Sequence, residues 1–352
     1  MTTLRTPTAL ADAGLVAAEA VPALERVAAR YGVAVSEDLV ALMHPDDADD
    51  PIARQFLPDS RELDTTPQER ADPIGDNAHS PVEGVVHRYP DRVLLKAVHV
   101  CPVYCRFCFR REMVGPEGLG TLSAEALDTA LDYIRAHGEI WEVILTGGDP
   151  LILSPRRLRT IVHALAAIPH VKIIRLHTRV PVVEPESVTD ELAAVLRVED
   201  KATYVAVHAN HARELSQKAR AACARLVDAG IPLLGQSVLL RGVNDSAESL
   251  GDLMRAMVET RIKPYYLHHP DLAPGTAHFR LSIAEGQEIV GALRGRFSGL
   301  CQPAYVLDIP GGHGKTPIGP AYVSAAEEPD SFRITDYRGG EHVYPPPCPA
   351  QD

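Results

Sequence analysis

The chain has no run of lysine or arginine, and 47 acidic against 35 basic residues leave a formal net charge of −12. Nucleic acids and anionic membrane surfaces select basic patches, so neither is an expected partner, whereas a small-molecule ligand is. It also lacks any apolar run near the ~20 residues that cross a bilayer. The opening MTTLRTPTALADAGLVAAEA has no unbroken apolar core behind a basic start, so it does not read as a signal peptide. Cysteine is scarce at six in 352 residues, with Cys223, Cys301 and Cys348 widely separated, so no disulfide framework is expected. These absences predict a cytoplasmic protein. With 45% hydrophobic residues the chain can build a sizeable core.

What is present is concentrated in HVCPVYCRFCFRR. There Cys101, Cys105 and Cys108 are spaced C-x3-C-x2-C between an apolar strand-like run (RVLLKAV) and two arginines. Thiolate is the soft ligand that iron–sulfur clusters take. Three cysteines leave one iron of a 4Fe-4S cluster open to hold another molecule, which suits catalysis better than electron storage. Structural zinc is the competing reading, but it needs four ligands in paired form. No second pair lies nearby, and His99 sits on the strand.

Around this stretch the chain is regular. Residues up to about Met43 show helical spacing and read as two short helices. The Pro- and Asp-rich passage that follows, to about Gly84, reads as an extended wrap, either a plain linker or one docked through FLP. From Arg92 apolar runs (RVLLKAVHV, WEVILTGG, VKIIRLHT, TYVAVHA, IPLLGQSVLL, KPYYLHH, AYVLDIP) alternate with amphipathic helical segments. Several of those segments open on Ser before an acidic residue, as in SAEA and SIAE. This repeat predicts parallel strands with crossover helices, an α/β fold forming a full or partial (β/α) barrel; a doubly wound open sheet is the alternative. The expected domains are residues 1–85, a helical and extended N-terminal wrap; 86–318, the barrel; and 319–352, an irregular tail with a small hairpin turning at Arg338–Gly340.

In such folds chemistry gathers at the C-terminal ends of the strands. The cysteines follow the first predicted strand, Thr146–Pro150 (TGGDP) the second, His177–Arg179 the third and His208–His211 the fourth. Gln236 lies in the fifth, Asp271 follows the sixth, and Asp308 with PGGHGK follows the last, so the polar clusters share one rim. His177, His208, His211, His268 and His269 lie on different strands without close ligand spacing and suit packing or rim hydrogen bonds better than metal.

The cysteine spacing with a Gly-Gly-acidic turn on the next strand resembles the radical S-adenosylmethionine (SAM) enzymes. That resemblance implies a 4Fe-4S cluster whose open iron chelates SAM, with Thr146, Gly147, Gly148 and Asp149 at the SAM site. It also implies an electron donor of the flavodoxin or ferredoxin type. In DIPGGHGKTP, Ile309 stands where a phosphate-binding P-loop would need glycine. Lys315 then reads either as a surface lysine or as a Schiff-base lysine for pyridoxal 5′-phosphate (PLP), its loop freed by glycines.

Taken together, DPIARQFLP, HRYPDRVLL, CPVYCRFCFRR, LTGGDPL, PYYLHHPDL and SGLCQPAYVLDIPGGHGKTP resemble the lysine 2,3-aminomutase family over about Asp50 to Val323. The resemblance implies that Lys315 is the PLP lysine, with Arg88, Tyr89, Arg92 and Gln236 lining the PLP site. It further implies that Arg110 grips the substrate carboxylate and that Asp271 and Asp308 hold the side-chain ammonium. Two carboxylates in a dry pocket repel unless a cation lies between them, which fits that role. The chain departs from the family in having Ser246 where long members carry a zinc-site cysteine, and only Cys348 in the tail, so no zinc is expected. A homo-oligomer stays open, without the intertwined assembly those cysteines help hold. His313 stands in the lysine loop where the family commonly has glycine. The expected activity is transfer of the 2-amino group of L-lysine to C3, giving β-lysine. The alternatives are the same chemistry on ornithine, β-lysine supply for elongation factor P, or a non-catalytic cluster- or PLP-binding regulator.

Overall fold

The computed structural model describes residues 3–115 and 120–345. Nine strands form one sheet in sequence order: β1 Val85–Tyr89, β2 Arg92–Val98, β3 Glu142–Gly147, β4 Ile173–Thr178, β5 Ala202–His208, β6 Leu233–Val238, β7 Ile262–His268, β8 Ala304–Ile309 and β9 Gly314–Pro317. β2 to β8 run parallel. β1 and β9 are antiparallel edges at the two ends. The predicted runs correspond to β2–β8, and the sheet curls into a nearly closed partial (β/α) barrel.

Each parallel step needs a crossover, and six helices provide them, for example Ala124–Ala136, Pro155–Ala166 and Ala247–Glu259. Leu127, Ala130, Leu131 and Ile134 on the first of these pack into the core with Val143 and Leu145 of β3. Serine or threonine caps the helix starts, but the reciprocal capping box forms at Ser282–Glu285 and not at Ser123, whose third helical residue is Ala126. Among the described residues no helix is long and apolar enough to cross a membrane.

The N-terminal region holds three short α-helices, Pro7–Asp12, Val21–Ala28 and Glu37–Val40, rather than two. The wrap that follows is docked. Asp50, Glu62, Glu69 and Asp76 each pair with a barrel arginine, Arg213, Arg106, Arg280 and Arg110 respectively. The tail forms a three-stranded antiparallel sheet: β10 Val323–Ala325, β11 Phe332–Thr335 and β12 Glu341–Tyr344. The expected hairpin is its second half, turned where Asp336 accepts the N–H groups of Arg338 and Gly340. Cys348 lies outside the described residues.

Candidate active site

The loop leaving β2 carries Cys101, Cys105 and Cys108, all free and part-buried. Burial raises all three thiols, Cys108 to about 11, and their mutual charge adds to the rise in Cys101 and Cys108. Three thiolates are stable there only against compensating positive charge, which an iron–sulfur cluster supplies. The donor set therefore fits a cluster bound by three cysteines. Among the described residues no three His, Cys, Asp or Glu side chains converge to hold a single ion.

TGGDP supports this loop from beneath. A Cβ on Gly148 would fall 2.1 Å from the carbonyl oxygen of Val100, and one on Gly147 2.5 Å from that of Val98. Gly148 and Asp149 donate their N–H groups to Val98 and Val100. The glycines are thus required by close backbone approach. The buried Asp149 carboxylate accepts from Leu151 N, Thr178 Oγ1, Arg179 N and Val180 N, so it staples β3 to the end of β4. Burial still pushes its pKa up. Thr146 is buried beside them.

The lysine loop follows β8. Gly311, Gly312 and Gly314 adopt φ of 89°, 85° and 88°, which side chains with a Cβ avoid. A Cβ on Gly312 would meet His79 at 2.6 Å, and one on Gly314 would meet the Tyr89 hydroxyl at 3.1 Å. The glycines serve turn geometry and close packing here, rather than the loop freedom expected of them. Lys315 donates its backbone N–H to the Tyr89 hydroxyl at 2.6 Å, and its Nζ to Asp308. Asp308 also lies 3.4 Å from His268 Nδ1 and is held well below the usual carboxylate range by those partners despite its burial. Asp271 goes the other way: burial, then the charge of Asp308, raises it to about 7. No hydrogen bond from the described residues engages its side chain. In this state Lys315 is the cation paired with Asp308, and its charge also eases Asp271.

Arg110 comes from the cysteine loop and donates Nε and Nη2 to Asp76 at 3.0 and 2.9 Å. Arg88 donates to the other oxygen of Asp76 at 3.0 Å, and its Nε is buried without a partner. Arg92 stacks on the Tyr89 ring at 3.9 Å and pairs with Asp91. Gln236, on β6, makes no side-chain hydrogen bond among the described residues. A phosphate or carboxylate entering here would find the Arg88 and Arg92 donors and Gln236, so these residues fit an anionic cofactor beside Lys315.

Four of the predicted rim histidines are engaged: His208 with Asn210, His211 as a cap for Arg213, His268 with Asp308 and His269 with the Tyr305 hydroxyl. His177 Nε2 is buried without a partner, and burial together with Arg175 holds this ring well below its ordinary pKa. The sequence reading missed Gln55, Glu62 and Asp76 as parts of the site. All three lie in the wrap, a stretch so rich in polar and acidic residues that nothing local marks these three out.

Comparison with known proteins identifies the family. Residues 95–254 match the Radical SAM superfamily model and 290–351 the Lysine-2,3-aminomutase model. The chain is 40% identical to L-lysine 2,3-aminomutase of Clostridium subterminale, over 90% of this chain and 75% of that one. It is 36% identical to glutamate 2,3-aminomutase of Clostridioides difficile, over 85% and 70%. Among solved structures, a radical SAM methyltransferase from Sphaerobacter thermophilus has a TM-score of 0.45 at 21% identity, covering 63% of this chain and 68% of that one. The chain belongs to the lysine 2,3-aminomutase family of radical SAM enzymes and is an enzyme of the isomerase class.

Proposed function

We propose that this enzyme moves the 2-amino group of L-lysine to C3, with SAM on the cluster and PLP on Lys315. The observation that supports lysine as substrate is that Asp308 pairs with Lys315 while Asp271, near enough to feel both charges, has no side-chain partner among the described residues. Once Lys315 is engaged elsewhere, that position is left to a substrate ammonium. The side-chain carboxylate of glutamate would meet two like charges there.

When bound, the cofactors would supply a carbon radical from SAM and an electron-delocalising carrier for the migrating nitrogen. The chain's residues place the reactants. Asp271 and Asp308 fix one end of the amino acid, and Arg110, exchanging Asp76 for the substrate, fixes the carboxylate. Two-ended fixation holds Cβ in one position, which is the larger part of what a protein can contribute to a radical step. Arg88, Arg92, Tyr89 and Gln236 hold the PLP, and the part-buried mouth excludes water that would quench a radical. Ornithine, one methylene shorter, would leave its ammonium short of the carboxylates, a loss of about 1–3 kcal/mol.

The test is anaerobic reconstitution with iron, sulfide, SAM, PLP and a reductant, followed by mass-spectrometric screening of amino acids. β-Lysine from lysine, with ornithine about tenfold to hundredfold poorer and glutamate inert, is the expected result. No β-amino acid from lysine would overturn the proposal. Lys315→Ala should abolish the absorbance of bound PLP; a persisting band would mean that another lysine carries it.

A further inference from the structure

Arg179 follows the last residue of β4, and its side chain lies beneath the cysteine loop. Nη1 donates to Cys105 Sγ at 2.9 Å, while Nη2 donates to Gln55 Oε1 and to Glu214 Oε2, both at 2.6 Å. The guanidinium lies over Phe56 at 4.5 Å and Phe107 at 5.4 Å. Arg179 is 5% exposed, and Gln55 and Glu214 are fully buried. Its backbone N–H is fixed by Asp149, so both ends of the residue are set by other elements. Glu214 is itself held, accepting the N–H groups of Asn210 and His211 and an amide hydrogen of Gln55.

Burying an arginine costs several kcal/mol, and one carboxylate offsets that only in part. A neutral thiol is a weak acceptor, so the Cys105 contact contributes little until the sulfur is anionic, when it becomes a charge-assisted bond. Among the described residues Cys101 and Cys108 have no such side-chain donor and receive the backbone N–H groups of Asp149 and Arg110. Among the described residues, Cys105 is therefore the one of the three sulfurs that accepts a hydrogen bond from a guanidinium. Hydrogen bonds to cluster sulfurs and the local net charge set a cluster's potential: a donor or positive charge favours the reduced, more negative form.

We infer that Arg179 is a positioning residue that raises the reduction potential of the cluster through Cys105, and that Glu214 moderates it by partly neutralising the guanidinium. The inference rests on the reading of Cys101, Cys105 and Cys108 as cluster ligands. Arg179 and Glu214 then act as opposed settings on one electron transfer, with Gln55 carrying the wrap into the same arrangement.

The test is EPR-monitored redox titration of the reconstituted full-length protein. Glu214→Gln retains an acceptor oxygen for Asn210 and His211 but removes the neutralising charge. Its midpoint should move positive by at least tenfold in the one-electron equilibrium, about 59 mV. Arg179→Lys cannot span Cys105, Gln55 and Glu214 together and should withdraw to Glu214, moving the midpoint negative. A purely structural role predicts no such opposed shifts. Midpoints for both variants indistinguishable from the parent, at equal iron content, would overturn the inference. Should Arg179→Lys fail to load iron, Glu214→Gln decides alone. A parent chain that binds no cluster would instead sink the reading of the cysteines, which separates the two failures.

Discussion

Asp271 and Asp308 have the same side chain and face the same space, yet they titrate in opposite directions. Asp308 has Lys315 and His268 as partners, whereas Asp271 has only burial and the repulsion of Asp308 and Asp76, eased by Lys315 and Arg110. Binding of a substrate ammonium needs Asp271 ionised. With its pKa near 7, kcat/KM for lysine should fall as pH drops below about 7, towards tenfold per unit. Asp271→Asn should lower kcat/KM and remove that limb from the pH profile; a limb that survives the substitution would assign it to another group. The stability effect has the opposite sense. A carboxyl whose folded pKa is raised loses stability as pH climbs from its ordinary value to about 7. In the ligand-free protein Asp271→Asn should therefore stabilise the fold at pH 8 by on the order of 1–3 kcal/mol for a part-exposed group, read as a higher Tm. The gain should vanish below pH 4, where the aspartate is neutral in both states.

At the scale of elements, the wrap completes the cysteine loop. Glu62 is fully buried and accepts from Arg106 at 2.6 Å and from Arg111, and Arg106 also reaches the carbonyl of Gly32. Arg111 lies 3.5 Å over the Tyr31 ring, so the loop is gripped from the N-terminal side at several points. Glu62→Gln would leave two buried cations short of an anion, at about 3–5 kcal/mol. It should lower both Tm and the iron held per chain after reconstitution; unchanged iron content would mean that the loop keeps its shape unaided. None of this clamp was legible in the sequence. The strands and crossover helices declare themselves by periodicity, and the rim follows from their order. The choice of Glu62 for Arg106, 44 residues away, depends on a tertiary path that no local pattern encodes. The cysteines stand out by their spacing, and Lys315, Asp271 and Asp308 were singled out by the family resemblance, whereas Asp76, which holds Arg110 and Arg88, is one more acid in a turn-rich stretch.

At the scale of the molecule, the barrel leaves its two edge strands unpaired with each other and brings them together at Lys315. β1 was missed in the sequence because VVHRY turns into β2 through Pro90–Asp91, and β9 because GKTP carries little strand propensity. The bond that joins these edges is the Lys315 N–H donated to the Tyr89 hydroxyl, with Gly314 allowing the approach. Contact between the two edges and placement of Lys315 are therefore linked through this bond. Tyr89→Phe keeps the ring under Arg92 but removes the acceptor, a cost of about 1–3 kcal/mol for a backbone donor left without a partner. Because β9 has no other neighbour than β8, that cost should fall on the edge and not on the whole barrel. Amide exchange at Lys315 should accelerate roughly fivefold or more, in line with that energy, while β4 and β5 amides stay as protected as in the parent. PLP affinity should fall with it. Uniform acceleration across the sheet would instead make Tyr89 a determinant of global stability and separate closure of the barrel from placement of the lysine.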